Sequence, residues 1–391
     1  MANNMNDKHI SIQNTRENLD FESNWMEAKF SHPERVIRLG TSFSGIGAIE
    51  HAFKRLGLKC QIKFAGDIDE DCKTAYLKNY DFDESNWHSD IHEFDATPFL
   101  HEIDLFVGGA PCQAFSLRGK HGGFEDTRGT LFREFARVVM ECQPKVFIFE
   151  NVKGILSHDK GNTWKVIKDT FEKDCGYQVY YQVLNGKDYG IPQSRDRVYC
   201  IGFKEPRDFK YPSPIPLEHS MPEYLQKSFS QKYLLKQKGV SFITESVNHK
   251  KSYTQINGDI QLCQKRNQQF NWHGDFVFYP ALKTDEPNEY LFDTSNLEER
   301  YYIDSQKELS LKFVGQNCVA VESIPSEIDY SKGYFRKLTP RECLSLMGFN
   351  ESFEIVVSDT ATYKQSGNSI IVDVLMSILK QMDITKYGVN Y

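Results

Sequence analysis

Short apolar runs that end in glycine or in a carboxylate, with helix-period segments between them, recur through the first half of the chain. Residues 36–39 (VIRL) predict a strand. The turn at 40–47 (GTSFSGIG) follows, and then Ile49, Phe53 and Leu56 at helical spacing. A second strand is predicted over 62–65, ending in Gly66-Asp67-Ile68-Asp69, and a further sheet edge at Ser89-Asp90-Ile91. In 104–113 (DLFVGGAPCQ), Leu105, Phe106 and Val107 run into two glycines, which reads as a buried strand entering a Gly-Pro loop. Leu131, Phe132, Phe135, Val138 and Val139 predict an amphipathic helix over 130–141. A fully apolar strand over 146–149 then ends at Glu150-Asn151-Val152. A helix over 163–173 and a strand over 177–184 lead to a strand on which Arg195, Arg197 and Tyr199 share one face. Strands alternating with helices predict an α/β fold with a doubly wound, mostly parallel sheet.

Beyond residue 204 the pattern changes. Prolines at 206, 212, 214, 216 and 222 mark a linker, and the stretch to about 335 is irregular, with short β-like pieces such as 275–280 (DFVFYP). This predicts a smaller, irregular β-rich domain over 205–335. Thr339 and Pro340 then form a helix start, and an apolar helix over 370–382 brings the chain back to the first domain. Residues 1–34 read as a polar extension with one helix near 21–30, followed by the main domain over 35–204 and its return over 336–391.

Composition narrows the function classes. No apolar run approaches the roughly eighteen residues of a membrane helix, and the polar N-terminus lacks a signal-peptide core. The nine cysteines are odd in number, scattered and free of metal-ligand spacing, which fits reduced thiols in a cytoplasmic protein. The net charge of −7 argues against indiscriminate nucleic-acid binding. Residues 226–266 nevertheless carry eight basic side chains against two acidic ones, with aromatics interleaved; this is either a solvated surface or a phosphate-contacting face.

Several residues carry candidate chemistry. Cys112 would sit at the carboxyl edge of a central strand, where open α/β sheets bind ligands, although a free cysteine is often only a buried hydrophobe. The glycines around Phe43 allow close approach of a ligand to the backbone. Asp67, some twenty residues on, suits a ribose hydroxyl pair or else a helix N-cap, and Asp90 suits an adenine amino group. The Gly-rich, basic loop after Cys112 reads as a lid over a polyanion. Glu150 is a carboxylate at the end of a buried strand, costly unless solvated or used. Arg195 and Arg197 are anion or carboxylate partners by geometry.

In this order, FSGIG (43–47), GAPCQ (109–113), ENV (150–152), QSRDRVY (193–199), RKLTPREC (336–343) and QSGNS (365–369) resemble the motifs of the cytosine-C5 DNA methyltransferases. The resemblance covers residues 36–203 and 336–382, and implies the class I S-adenosylmethionine-dependent methyltransferase fold. It makes 35–204 the catalytic and cofactor-binding domain and 205–335 the target-recognition domain. Pro280-Ala281-Leu282 is a loose match to a short turn of that region. The resemblance implies that Cys112 is the nucleophile that attacks C6 of a flipped cytosine in duplex DNA. Glu150 relieves charge at N3, and Arg195 and Arg197 steady the carboxylate, the base and the catalytic loop. S-adenosyl-L-methionine would be held by Phe43, Gly45, Gly47, Asp67, Ile68, Asp90, Asn368 and Ile370. Pro111, Gln113, Ser116 and Arg118 fall to the DNA substrate.

There are departures. Family members commonly have Asp-Leu-Phe where this chain has Thr41-Ser42-Phe43, a Glu where Asp67 stands, and an aromatic where Ile68 stands. A bacterial restriction-modification enzyme is the expectation: a monomer, associated with the nucleoid, with a restriction endonuclease as functional partner. The alternatives are a tRNA cytosine-C5 methyltransferase on the same fold, whose Cys-Phe-Thr signature is missing here, a non-catalytic DNA-binding relative, and a dinucleotide-dependent oxidoreductase.

Overall fold

The computed structural model describes residues 24–110, 131–244, 254–267, 272–280, 311–313, 319–321 and 333–390. At its centre is a seven-stranded sheet. The strands are β1 (Val36–Ser42), β2 (Lys59–Gly66), β3 (Trp87–His88), β4 (Leu105–Gly108), β5 (Val146–Val152), β6 (Gln178–Asn185) and β7 (Asp196–Phe203), in the order β3-β2-β1-β4-β5-β7-β6. Neighbours from β3 to β5 are parallel, and β7 runs antiparallel between β5 and β6. From β1 the chain winds outward to β3, then returns to β4 beside β1 and winds the other way. That reversal opens a crevice at the carboxyl ends of β1 and β4.

Strand alternation sorts the core into two faces. Ile37, Leu39, Leu105, Val107, Val146 and Ile148 pack with helices α1 (Ala48–Leu56) and the C-terminal Val372–Met382. Phe64, Phe106, Phe147 and Phe149 point the other way, onto α3 (Leu131–Cys142) and Phe171. Fully burying one such phenylalanine contributes about 1.5–3 kcal/mol. Helix α2 (Glu70–Asn79) links β2 to β3. The helix expected over 163–173 is α4 (Asn162–Asp169), which widens into a π-turn at Thr170–Asp174.

Two expectations are corrected. The helix expected near 21–30 is, among the described residues, only a 3₁₀ turn at Trp25–Glu27. Asn24 caps it, and one buried side chain, Trp25, anchors it to the core. The proline-rich stretch after 204 is a strap rather than a free linker. Phe209 and Ile215 are buried in the first core cluster, and Tyr211 donates from its hydroxyl to the carbonyls of Tyr180 (2.9 Å) and Tyr199 (2.8 Å). Fixed proline φ angles keep such a strap extended without a hydrogen-bond ladder.

The later region contributes α5 (Gln237–Thr244) and a three-stranded sheet of β8 (Thr254–Ile256), β9 (Gly274–Pro280) and β12 (Gly333–Lys337), in the order β12-β9-β8. A hairpin pairs β10 (Leu311–Phe313) with β11 (Val319–Val321). Leu235, Val240, Ile243, Ile256 and Phe276 form a cluster of their own. The β-like piece at 275–280 is β9. Within the basic run of 226–266, Lys232 pairs with Asp359 at 2.6 Å, and Lys238 lies over the Trp272 ring. Lys250 and Lys251 lie outside the described residues.

The predicted helix start at Thr339 is α6 (Pro340–Ser345), closed by a capping box with Glu342. Glu342 also receives the Arg336 guanidinium in two hydrogen bonds of 2.7 and 2.8 Å, with both side chains fully buried. The Tyr279 hydroxyl and the Phe229 ring complete the nest around Arg336. Arg336→Met removes the guanidinium from the buried Glu342 and leaves it only the Gln226 and Thr339 N–H groups, which costs about 3–5 kcal/mol. A correspondingly lower urea midpoint is the expected result; an unchanged midpoint refutes the ledger of this pair.

Candidate active site

The site is built where the strand ends converge. The turn after β1 carries Phe43 at φ 56°, Gly45 at φ 54° and Gly47 at φ 76°. Ser44 stitches it to β2: its N–H donates to the Gly66 carbonyl, and its Oγ accepts from the Gly66 N–H, both at 2.9 Å. Asp67 Oδ2 accepts from the Gly45 N–H at 2.9 Å, and Oδ1 from the Asp69 N–H at 3.0 Å. The capping role considered for Asp67 belongs to Asp69, which receives the Asp71 N–H and starts α2. Burial holds the Asp67 carboxyl above its ordinary pKa.

A cleft of about 610 Å³ lies over these ends. It brings together Phe43, Gly45, Asp67, Ile68 and Asp90 on one side. Glu150, Arg195, Arg197, Asn368 and Ile370 line the other. Ile68 is 79% exposed there, an apolar surface with nothing yet covering it. The Asp90 carboxylate receives the backbone N–H of His92 at 2.9 Å. Gly47 does not line the cleft; it caps α1 in the left-handed region, and a Cβ there would meet the Tyr80 ring at 2.3 Å. Its glycine is required by packing. Cys112, Pro111, Gln113, Ser116 and Arg118 lie outside the described residues. The chain is described as far as Ala110, which lines the cleft and accepts a 2.9 Å hydrogen bond from Asn151 Nδ2.

Glu150 lies two residues before the end of β5 at 9% exposure, and Arg197 Nε approaches its Oε1 at 3.1 Å. Burial raises the Glu150 pKa, and Arg197 and then Arg195 oppose the rise. Gly109 is close enough that a Cβ would meet Glu150 Oε2 at 3.0 Å. Arg195 also lines the cleft, but its hydrogen bonds go elsewhere. Its guanidinium donates to the carbonyls of Gln264 (2.6 Å), Gly367 (3.1 Å) and Ser369 (2.7 Å), not to Glu150. It starts just before β7 and clamps main chain, whereas Arg197, on the strand, faces the carboxylate.

Those carbonyls belong to a buried polar junction. Gln193 Nε2 donates to Gln261 Oε1, Gln261 Nε2 to Gln264 Oε1, and Gln264 Nε2 to Ser366 Oγ, at 2.8, 2.8 and 2.7 Å. The segment 261–266, expected within the recognition domain, is thereby drawn into the cleft wall, and Arg266 lines the cleft. Gly367, near the end of α7 (Asp359–Asn368), presses on it: a Cβ there would lie 2.5 Å from Arg266 N. Gly367→Ala is expected to displace 264–266 and destabilise by about 1–3 kcal/mol; thermal unfolding checks this. The sequence reading passed over Glu50, Asn151 and Arg266. Only Asn151, inside the ENV motif, carried a local signal.

The sequence model of the C-5 cytosine-specific DNA methylases matches residues 37–383. The chain belongs to that family. This methylase is 34% identical over 345 residues to the type II methyltransferase M1.ScrFI of Lactococcus lactis subsp. cremoris, covering 87% of this chain and 76% of the relative. It is 33% identical to the type II methyltransferase M.HpaII of Haemophilus parainfluenzae, covering 89% of each. Against M.HhaI of Haemophilus parahaemolyticus the identity is 31%, over 88% of this chain and 93% of the relative. Its fold is also that of the Spodoptera frugiperda DNMT2 structure, with a TM-score of 0.61 at 21% identity over 88% of this chain and 99% of the other. The methylase is thus an enzyme of the DNA cytosine-5 methyltransferase class, and family and fold imply S-adenosylmethionine as methyl donor. The cleft residues fit such a group: the buried Asp67 carboxylate suits a ribose, exposed Ile68 an adenine face, and the turn at 43–45 a close-lying chain. Among the described residues no helix is long and apolar enough to cross a membrane, and no cluster fits a metal ion.

Proposed function

We propose that this methylase transfers a methyl group from S-adenosylmethionine to C5 of a cytosine in a specific duplex DNA sequence, through a covalent Cys112–C6 intermediate on a flipped base. The observation that carries the reading is the buried Glu150–Arg197 pair at the mouth of a cleft whose other wall is the Phe43–Gly45 turn and Asp67. C5 of cytosine is a poor nucleophile until C6 is attacked. The Cys112 thiolate adds to C6, and its softness lets it leave again. The electron pair pushed towards N3 is relieved by a proton from Glu150, whose raised pKa keeps that proton available. Arg197 holds the carboxyl in place and stabilises the negative form left after transfer. When bound, the cofactor supplies the electrophilic methyl group that C5 takes. Loss of the C5 proton to solvent, expulsion of the Cys112 thiolate and return of the N3 proton to Glu150 restore the neutral aromatic ring. The target atom is hidden in the stack, so the base is turned out into the cleft.

In the same reading, Asp90 receives the adenine amino group, Asn368 and Ile370 close the cofactor site, and Pro111, Gln113, Ser116 and Arg118 touch the DNA. Residues 205–335 read the sequence through the major groove. The relatives named type II methyltransferases support a restriction-modification role; a partner endonuclease, a monomeric state and association with the nucleoid belong to the same proposal. The family model is that of DNA methylases, which favours duplex DNA over tRNA. The test offers labelled S-adenosylmethionine with duplex DNA and with tRNA, followed by nucleoside analysis. 5-Methyldeoxycytidine is the expected product, and label confined to tRNA overturns the DNA reading.

A further inference from the structure

Glu50, in the first turn of α1, is 2% exposed and lines the same cleft. Its Oε1 is saturated by the Thr41 hydroxyl at 3.1 Å and the Tyr76 hydroxyl at 2.6 Å. The donors behind Thr41 point one way. Thr41 spends its one hydroxyl hydrogen on Glu50, so in the 2.8 Å contact with Ser44 the Ser44 hydroxyl is the donor, and Ser44 Oγ in turn accepts from the Gly66 N–H. Oε2 is buried and has no hydrogen-bond partner. A buried carboxylate oxygen left in that state is costly, and the cost is removed by a ligand carrying a cationic N–H donor.

We propose that Glu50 Oε2 receives the α-ammonium group of the cofactor's amino-acid end. This rests on the proposed use of S-adenosylmethionine in this cleft. Of that molecule's two cationic centres, the sulfonium has no hydrogen to donate, so an unpaired carboxylate oxygen selects the ammonium. Thr41 makes the arrangement possible. A carboxylate at position 41 would face Glu50 at 3.1 Å as a like charge, whereas threonine donates to it.

Burial pushes the Glu50 pKa up to about 7, with the Tyr76 hydroxyl, Glu50's own backbone N–H and the Thr41 hydroxyl opposing. The titratable groups packed around it are Tyr76 of α2, Tyr80 just after α2 and Cys60 of β2, all held neutral well above pH 7 by burial. Ammonium binding therefore draws a proton from Glu50 to solvent at pH below about 7.

Calorimetric titration of wild type and Glu50→Gln with S-adenosylhomocysteine and with 5′-methylthioadenosine, which lacks the amino-acid end, tests this. Glu50→Gln is expected to weaken S-adenosylhomocysteine roughly tenfold or more, the value of one charged hydrogen bond, and to leave methylthioadenosine unchanged. The wild-type preference for S-adenosylhomocysteine is expected to fall from pH 7.5 to 5.5, and that of the variant to stay flat. The unliganded variant is expected to unfold no earlier than wild type at pH 8. The folded-state pKa of Glu50 is raised above its unfolded value, so its contribution to stability is complete at low pH and lost as pH rises through about 7. Equal loss for both ligands, or none for either, overturns the proposal. A wild type that binds neither ligand overturns the cofactor reading, and this assignment with it.

Discussion

Cys112→Ala abolishes methyl transfer to DNA, by roughly 10⁴-fold or more, while S-adenosylhomocysteine still binds with wild-type affinity. The size follows from chemistry. Without a nucleophile at C6 the cytosine ring never becomes an enamine, and no arrangement of hydrogen bonds makes C5 reactive enough instead. The separation of binding from chemistry follows from the fold. The residues proposed for the cofactor follow β1, β2 and β3 and lie in the 365–370 stretch, whereas Cys112 belongs to a different segment of the sequence, two residues after Ala110. Single-turnover transfer and calorimetry together check the result. A residual rate within tenfold of wild type refutes Cys112 as the nucleophile.

Glu150→Gln is expected to lower the single-turnover rate by about 10²–10⁴-fold, the usual worth of a positioned general acid. The amide keeps the shape beside Arg197 but has no proton to give N3. The pH profile identifies the role. Burial raises the Glu150 pKa, and the two arginines only partly reverse it. The acid form therefore persists to higher pH than in a free carboxyl, and the wild-type rate falls as pH rises through that raised value. The variant lacks this alkaline limb. An amide that retains both the rate and the limb assigns the proton to another group.

The two arginines show how far local pattern carries. Alternation put Arg195 and Arg197 on one face, and both do line the cleft. Only Arg197 lies on the strand and reaches Glu150. Arg195 precedes it and spends its donors on carbonyls of residues 264, 367 and 369, from segments remote in sequence. Spacing along one strand carries no information about which distant backbone will arrive opposite it. Gly47 makes a related point. The turn motif called for glycines, but which of them face a ligand and which only make room for Tyr80 depends on where α2 packs.

By itself the sequence determined the alternating α/β plan, because strand and helix periods are local properties of the chain. It determined the ends of β2, β4 and β5 as places for chemistry, because glycines and carboxylates interrupt apolar runs there, and it determined the family through ordered motifs. The tertiary structure alone decided that a proline-rich stretch lies as a strap on the core and that segment 261–266 enters the cleft wall. It also decided the burial of the Arg336–Glu342 pair and the open Oε2 of Glu50. Each depends on which surfaces meet across long loops. Burial, hydrogen-bond saturation and the resulting pKa shifts are properties of the assembled neighbourhood, not of any residue or its neighbours in sequence.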